Sequence, residues 1–566
     1  MNLMKRMSIV AALFLVVAQL SAFQQLERET GFLVLAPDRG FLGNEEVREA
    51  FEAYCTGFNA ALVVITREET VRFLNEGIGL LERQGAKKIV VLPMFLSERQ
   101  SLYRYAMRFF QDAEKLTLTP LPVTVAETAS KSYLMSEILA DRIADLSKMS
   151  STEMLITVAQ GAGNPDDATA IEQDIQTVRA RLAGRFTFGG YAENALVDGN
   201  RGLSSTERLE QTLSEARTKN LQPVVIPLDF AWKADGMMSL GYRLRLIAQK
   251  YNALYDGTDA TPHPNIALWL QKQSNAHLPI TAKNLGVIFM PHGSTYNWNR
   301  TMADAVEPLL SKYNIEHAFS MGDAAIIERA VRKLEQRGAR AIAVIRVFSM
   351  ETSFKDATEY ALGLSDGKSH GSHGGAMKAQ PIRSGCVFHT LGGVEASPLF
   401  AEALLDRAME VSKDPKSETV IVLAHGSQSE EENRRWEDNL TALTAHMTNS
   451  ARLKGKSFRA IRSATWREDW PELREKAIQH IRAIVQQASD DGGAAIIIPA
   501  RTTRGGPEEE WLNGLSYVYN GNGFAPHPMF VRWVEEQILL SLAHFNKSEP
   551  PPGIISNSKQ QQPHKH

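Results

Sequence analysis

Short, uninterrupted apolar runs alternate along this chain with longer stretches in which apolar residues recur at helical spacing. Four of the runs share one form: GFLVLAP (31–37), MLITVAQ (154–160), LGVIFMP (285–291) and TVIVLAH (419–425). Continuous apolar strands between amphipathic helices predict parallel sheets covered on both faces. The fold expected is therefore α/β, with four flavodoxin-like lobes of about 120–130 residues each.

The lobes pair into two copies of one unit. ATPHPNIALWLQKQ (260–273) resembles FAPHPMFVRWVEEQ (524–537), and Gln160 precedes His425 by the same interval, within one residue, that separates His263 from His527. GLLERQGAKKIVVLPMFLS (79–97) resembles RKLEQRGARAIAVIRVFSM (332–350), each a helix, a glycine turn and a buried strand. The boundaries expected are unit 1 at 24–280 (lobes 24–150 and 151–280) and unit 2 at 283–546 (lobes 283–415 and 416–546).

The ends read differently. Residues 1–22 carry Lys5 and Arg6, an apolar run and then Ser21 and Ala22, the pattern of a secretory signal peptide cleaved near Ala22. The protein is thus expected to be exported, periplasmic or extracellular, with no membrane span after cleavage. The tail 547–566 is Pro-rich and polar and is expected to be disordered. A net charge of -3 gives no electrostatic case for a nucleic-acid partner. Cys55 and Cys386 stand at non-equivalent places and are expected to be unpaired and buried; two cysteines are too few for a thiolate zinc cage.

Ligands of open α/β sheets bind at the carboxyl ends of the strands. At those ends lobe 3 has His292-Gly293-Ser294 and lobe 4 has His425-Gly426-Ser427, where lobe 1 has Pro37 and lobe 2 has Gln160. The glycine lets the chain turn out of the strand, the serine is expected to cap the next helix, and the imidazole is a ligand for a divalent transition metal or a proton acceptor. His263 and His527, each followed by a helix-starting proline, read as structural.

With its HGS and PHP elements and its helix-glycine-strand steps, the chain resembles the class II tetrapyrrole chelatases, the sirohydrochlorin cobaltochelatase and ferrochelatase group, over nearly all of residues 24–546. The resemblance implies a cleft that holds an acidic tetrapyrrole, and imidazole and carboxylate groups that deliver cobalt or iron and take up pyrrole protons. His292 and His425 would then be the catalytic groups and metal ligands of a lyase, with unit 1 a scaffold or a metal-free binding lobe. Family members carry a second histidine after a later strand. Here the four equivalent stretches, LPMFLSERQSLY, IPLDFAWKADGM, IRVFSMETSFKD and IPARTTRGGPEE, have none. Glu351, or His370 and His373 in a Gly-rich insertion, would substitute as metal ligands, and His389 ends an apolar segment expected on the same edge as His292. Arg346, Arg501 and Arg504, with Arg300 and Arg467 nearby, would meet ligand carboxylates. The alternative is an exported metal- or tetrapyrrole-binding protein without catalysis.

Overall fold

In the computed structural model, the described residues are 28–66, 68–111, 119–198, 206–231, 239–366 and 380–548. The segment 1–22 expected to be a signal peptide, most of the tail, His370 and His373 lie outside them.

The chain forms two compact units. One comprises residues 1–279 and 363–387, and the other residues 280–362 and 388–566. The segment 363–387, which falls inside the sequence range expected for unit 2, thus groups with unit 1. Arg383 fastens it there, pairing with Asp141 through Nη1 (2.5 Å) and with Glu137 through Nη2 (3.2 Å).

Unit 1 contains two sheets. The first is built from β1 (Thr30–Pro37), β2 (Asn59–Ile65), β3 (Lys88–Pro93) and β4 (Val123–Val125) in the order β2-β1-β3-β4. The second has β5 (Glu153–Ala162), β6 (Gly190–Val197) and β7 (Gln222–Pro227) in the order β6-β5-β7.

Unit 2 repeats the plan. β8 (Leu285–Pro291), β9 (Asn314–His317), β10 (Ala341–Val347) and β11 (Val387–Gly392) follow the order β11-β10-β8-β9. β12 (Glu418–Ala424), β13 (Ala460–Thr465), β14 (Ala494–Pro499) and β15 (Val518–Tyr519) follow β13-β12-β14-β15. Each sheet therefore has its second strand on one side of the first and its third on the other, the flavodoxin-like arrangement, whose switch point lies between strands one and three. The expected four α/β lobes are observed.

Burial explains why the strand sequences are continuously apolar. Along β1, Phe32, Val34 and Ala36 join one hydrophobic cluster, while Leu33 and Leu35 join another on the opposite face. Neither face is left to water, so alternation would place polar groups in a core. The duplication also reaches the packing. A Cβ at Gly31 would lie 3.1 Å from Leu81 Cβ, and one at Gly286 would lie 3.1 Å from Leu334 Cβ, so strand and helix approach at matching glycines in both units.

The PHP histidines are caps. His263 Nδ1 accepts from the Asn265 amide (3.1 Å) and His527 Nδ1 from the Met529 amide (3.2 Å) at the starts of helices Pro264–Asn275 and Pro528–Phe545. Each helix closes its unit by packing back on the earlier lobe, the first against β3 and the second against β10. Cys55 and Cys386 form no disulfide; Cys386 is buried, whereas Cys55, at the last turn of a surface helix, is only half-buried. Among the described residues no helix is long and apolar enough to cross a membrane.

Candidate metal centre at the strand ends

In lobe 4, β12 lies between β13 and β14, so the chain segments leaving these three strands meet at one sheet edge. His425 directly follows β12. Its Nδ1 lies 2.9 Å from the Gly426 carbonyl oxygen, which only accepts, so Nδ1 carries the hydrogen. The neutral ring then presents its lone pair at Nε2. That nitrogen faces two carboxylates from the segment after β13, Glu468 Oε2 at 3.4 Å and Asp469 Oδ2 at 3.2 Å. Nε2 and the two carboxylates thus turn acceptor atoms toward one another, an arrangement that calls for a positive charge between them. Trp436 and Trp470 flank the imidazole, with ring centroids 6.4 and 5.9 Å away.

The loop is held in this form by its own sequence. Gly426 has φ +83°, and a Cβ there would fall 2.9 Å from Thr465 Cβ and 3.1 Å from the Arg467 nitrogen. Arg467 donates from Nε to the Ser427 carbonyl (2.7 Å) and pairs with Glu430 (2.7 Å). Arg467 therefore braces the histidine loop. The expected serine cap is displaced by two residues: Ser429 accepts from the Glu432 amide to start helix Glu430–Leu453, while Ser427 donates to the Glu432 carboxylate (2.5 Å). Glu430, Glu431 and Glu432 in the first turn suit the positive end of the helix dipole.

Arg501, two residues past β14, forms an ion pair with Glu468 Oε1. His425, Glu468 and Arg501 thus make one chain of contacts at the switch point. Arg504 is exposed in the following loop. Glu508, four residues further on, is fully buried, its carboxylate oxygens accepting from Trp466 Nε1 (3.3 Å) and Tyr519 Oη (3.1 Å). Burial raises its pKa.

Lobe 3 is built differently. His292 is exposed, its Nδ1 turned to the Gly293 carbonyl and its ring edge-on to Trp298 at 6.5 Å. No hydrogen bond or ion pair among the described residues joins it to Glu351 or His425. Arg346 is wholly buried, donating to Thr390 Oγ1 (3.2 Å) and to the carbonyls of Glu351 and Ser353. Its guanidinium braces the loop after β10. Glu351 is paired with Lys355 (2.7 Å) and lies 3.6 Å from Arg346. Arg300 pairs with Asp304 on its own helix (2.8 Å).

His389 departs from the expected strand end. It sits within β11, stacked on His544 with centroids 3.8 Å apart and planes 4° from parallel. Burial, with a smaller contribution from His544, pulls its pKa down to about 4. A histidine that charges in the unfolded chain near pH 6.5 but stays neutral when folded lowers stability as pH falls between those values. Wild type should therefore lose stability relative to His389→Gln as pH falls from 7 to 4, read from the unfolding midpoints of the two. The expected acid-dependent loss from this residue is about 3 kcal/mol.

In unit 1 the equivalent edges are interlocked. The side-chain amide of Gln160 faces the Arg39 guanidinium, and only with its oxygen toward that group are both satisfied, the oxygen accepting from Nε (3.2 Å) and Nη2 (3.0 Å). Arg39 also pairs with buried Asp229 (3.4 Å), and Gln100 Nε2 donates to Asp229 Oδ2 (3.1 Å) and to the Gln160 carbonyl (2.9 Å).

Sequence reasoning named His425 and Arg501 but missed Glu468, Asp469 and the two tryptophans. Their signal was position, since TWREDW (465–470) follows the second strand of the lobe that carries His425. Among the described residues no three His, Cys, Asp or Glu side chains form a ready metal-holding cluster. His425, Glu468 and Asp469 are thus an imidazole facing two carboxylates, not a closed coordination sphere.

No protein-family model matches the chain, and no curated protein matches it. Among solved structures, the chain is similar to that of the Lac repressor dimer bound to operator and the anti-inducer ONPF, over 43% of this chain and 76% of that one. The identity is 10% and the TM-score 0.22, a likeness too slight to carry an argument.

Proposed function

We propose that this is an exported chelatase-like protein whose second unit takes up a divalent transition-metal ion, cobalt or iron, at His425 and presents it to a sirohydrochlorin-type tetrapyrrole. The observation that carries the reading is the direction of His425 Nε2 toward Glu468 and Asp469. One imidazole and two carboxylates suit a borderline divalent ion, and an incomplete set releases it again, which delivery requires. His425 and Glu468 would accept the protons that a pyrrole loses on metallation. Trp436 and Trp470 offer faces to a planar ring, and exposed Arg504 suits its carboxylates. His292, exposed beside Trp298, is the second candidate ligand.

A second reading is favoured by one contact. Arg501 holds Glu468, and a carboxylate engaged by a guanidinium is a weaker metal ligand. On this reading the protein binds metal or tetrapyrrole without inserting one into the other.

The test is Co²⁺ calorimetry on residues 24–566, wild type beside His292→Ala/His425→Ala, followed by absorbance with sirohydrochlorin. One ion per chain that is lost in the variant, with catalytic change of the tetrapyrrole spectrum, is the expected result. Saturable binding without turnover selects the second reading. Equal binding by the variant makes the strand-end histidines structural and overturns the assignment of the site. Because imidazole binds metal only when deprotonated, affinity should weaken as the medium is acidified.

A further inference from the structure

The two units carry opposite charge patterns at the same register. Val158 of β5 pairs with Pro227 of β7, and Leu423 of β12 pairs with Pro499 of β14. Two residues further on stand Gln160 and Asp229 in unit 1, and His425 and Arg501 in unit 2. Unit 2 therefore has an imidazole and a cation at its switch point, with anions supplied by Glu468 and Asp469. Unit 1 has an amide and an anion, with a cation supplied by Arg39, two residues past β1.

Asp229 is enclosed. Its side chain is 1% exposed, its Oδ2 takes Gln100 Nε2 (3.1 Å), the Gln160 amide (3.4 Å) and Arg39 Nη2 (3.4 Å), and its Oδ1 takes the Phe230 amide (2.9 Å). Those donors are neutral apart from Arg39. A buried carboxylate needs a counter-charge, and among the described residues Arg39 is the one bonded to it. Arg39 itself is fixed on several sides: Nε donates to the Phe230 carbonyl (3.2 Å), the guanidinium meets the Gln160 amide oxygen, and the backbone amide donates to Asn44 Oδ1 (3.0 Å).

We infer that unit 1 is a cation site filled permanently by its own chain: the Arg39 guanidinium occupies the place of a diffusible divalent cation between Asp229 and Gln160. The first unit is thereby closed to metal, and removing Arg39 frees the Asp229 carboxylate, the Phe230 carbonyl and the Gln160 amide oxygen that its guanidinium engages. This stands on contacts within unit 1 and does not depend on the reading of His425.

The test uses the full chain from residue 24 in a His425→Ala background, so that the candidate site in unit 2 does not respond. Arg39→Ala should lower the unfolding midpoint by about 5–10 °C in metal-free buffer. About 1 mM CoCl₂ should restore at least half of that loss while leaving the Arg39-containing parent unmoved. Arg39→Ala/Asp229→Asn, which removes both charges, should be more stable than the single variant without metal and should not respond to it. This holds even where the single variant fails to fold without metal. The inference is overturned when Co²⁺ shifts parent and Arg39→Ala equally, when the double variant responds as strongly as the single one, or when it is no more stable in metal-free buffer.

Discussion

Arg346→Leu is expected to destabilise unit 2 by about 3–5 kcal/mol, read as a fall in the urea midpoint with Co²⁺ binding unchanged. The sequence places Arg346 at a strand end, where a cation would serve a ligand. In the structure its side chain is fully buried and its donors go to Thr390 and to the carbonyls of Glu351 and Ser353. Leucine would fill part of the volume but leave those two carbonyls without their donor, and unsatisfied buried acceptors carry the full desolvation penalty. Burial already disfavours the charged guanidinium, lowering its pKa. A variant that keeps its midpoint but loses affinity for a carboxylate-bearing ligand would show that Arg346 serves the ligand instead.

The second large effect is expected at Arg501. Arg501→Ala should tighten Co²⁺ binding by about tenfold, roughly 1.4 kcal/mol, because Glu468 then has one competitor fewer. The same change should weaken binding of a carboxylated tetrapyrrole if Arg501 leaves Glu468 to meet it. Calorimetry with each ligand separates the two. Tighter metal binding with unchanged tetrapyrrole binding makes Arg501 a restraint on metal uptake. No change in either would detach Arg501 from the site.

The lobes were legible because strands covered on both faces are apolar along nearly all of their length, as in β1, β5 and β12. The duplication was legible because capping histidines and close-approach glycines recur with their spacing intact. The site was legible only in part. His425 is announced by an abrupt end to an apolar run, whereas Glu468 and Asp469 are two acids in a polar segment, and only the parallel pairing of β12 with β13 brings them to the imidazole. Arg346 and Arg501 both follow or end third strands, and sequence alone does not distinguish them. Arg346 lies within β10 and is buried by its neighbours, while Arg501 stands beyond β14 and is half-buried. The interlocking of Arg39, Gln160 and Asp229 was not legible, because those residues come from three chain segments and two lobes.

The anchoring of residue 383 has a consequence for the order in which the chain is made. Asp141 and Glu137 belong to unit 1, and their partner Arg383 lies beyond β10 of unit 2. During N-to-C synthesis, unit 1 emerges with two carboxylates still lacking that partner, and unit 2 has already begun before the missing guanidinium arrives. A fragment ending at residue 279 therefore lacks residues 363–387 of the first compact unit, although the repeat makes it look like a complete half. Completion of the first unit waits on translation well into the second.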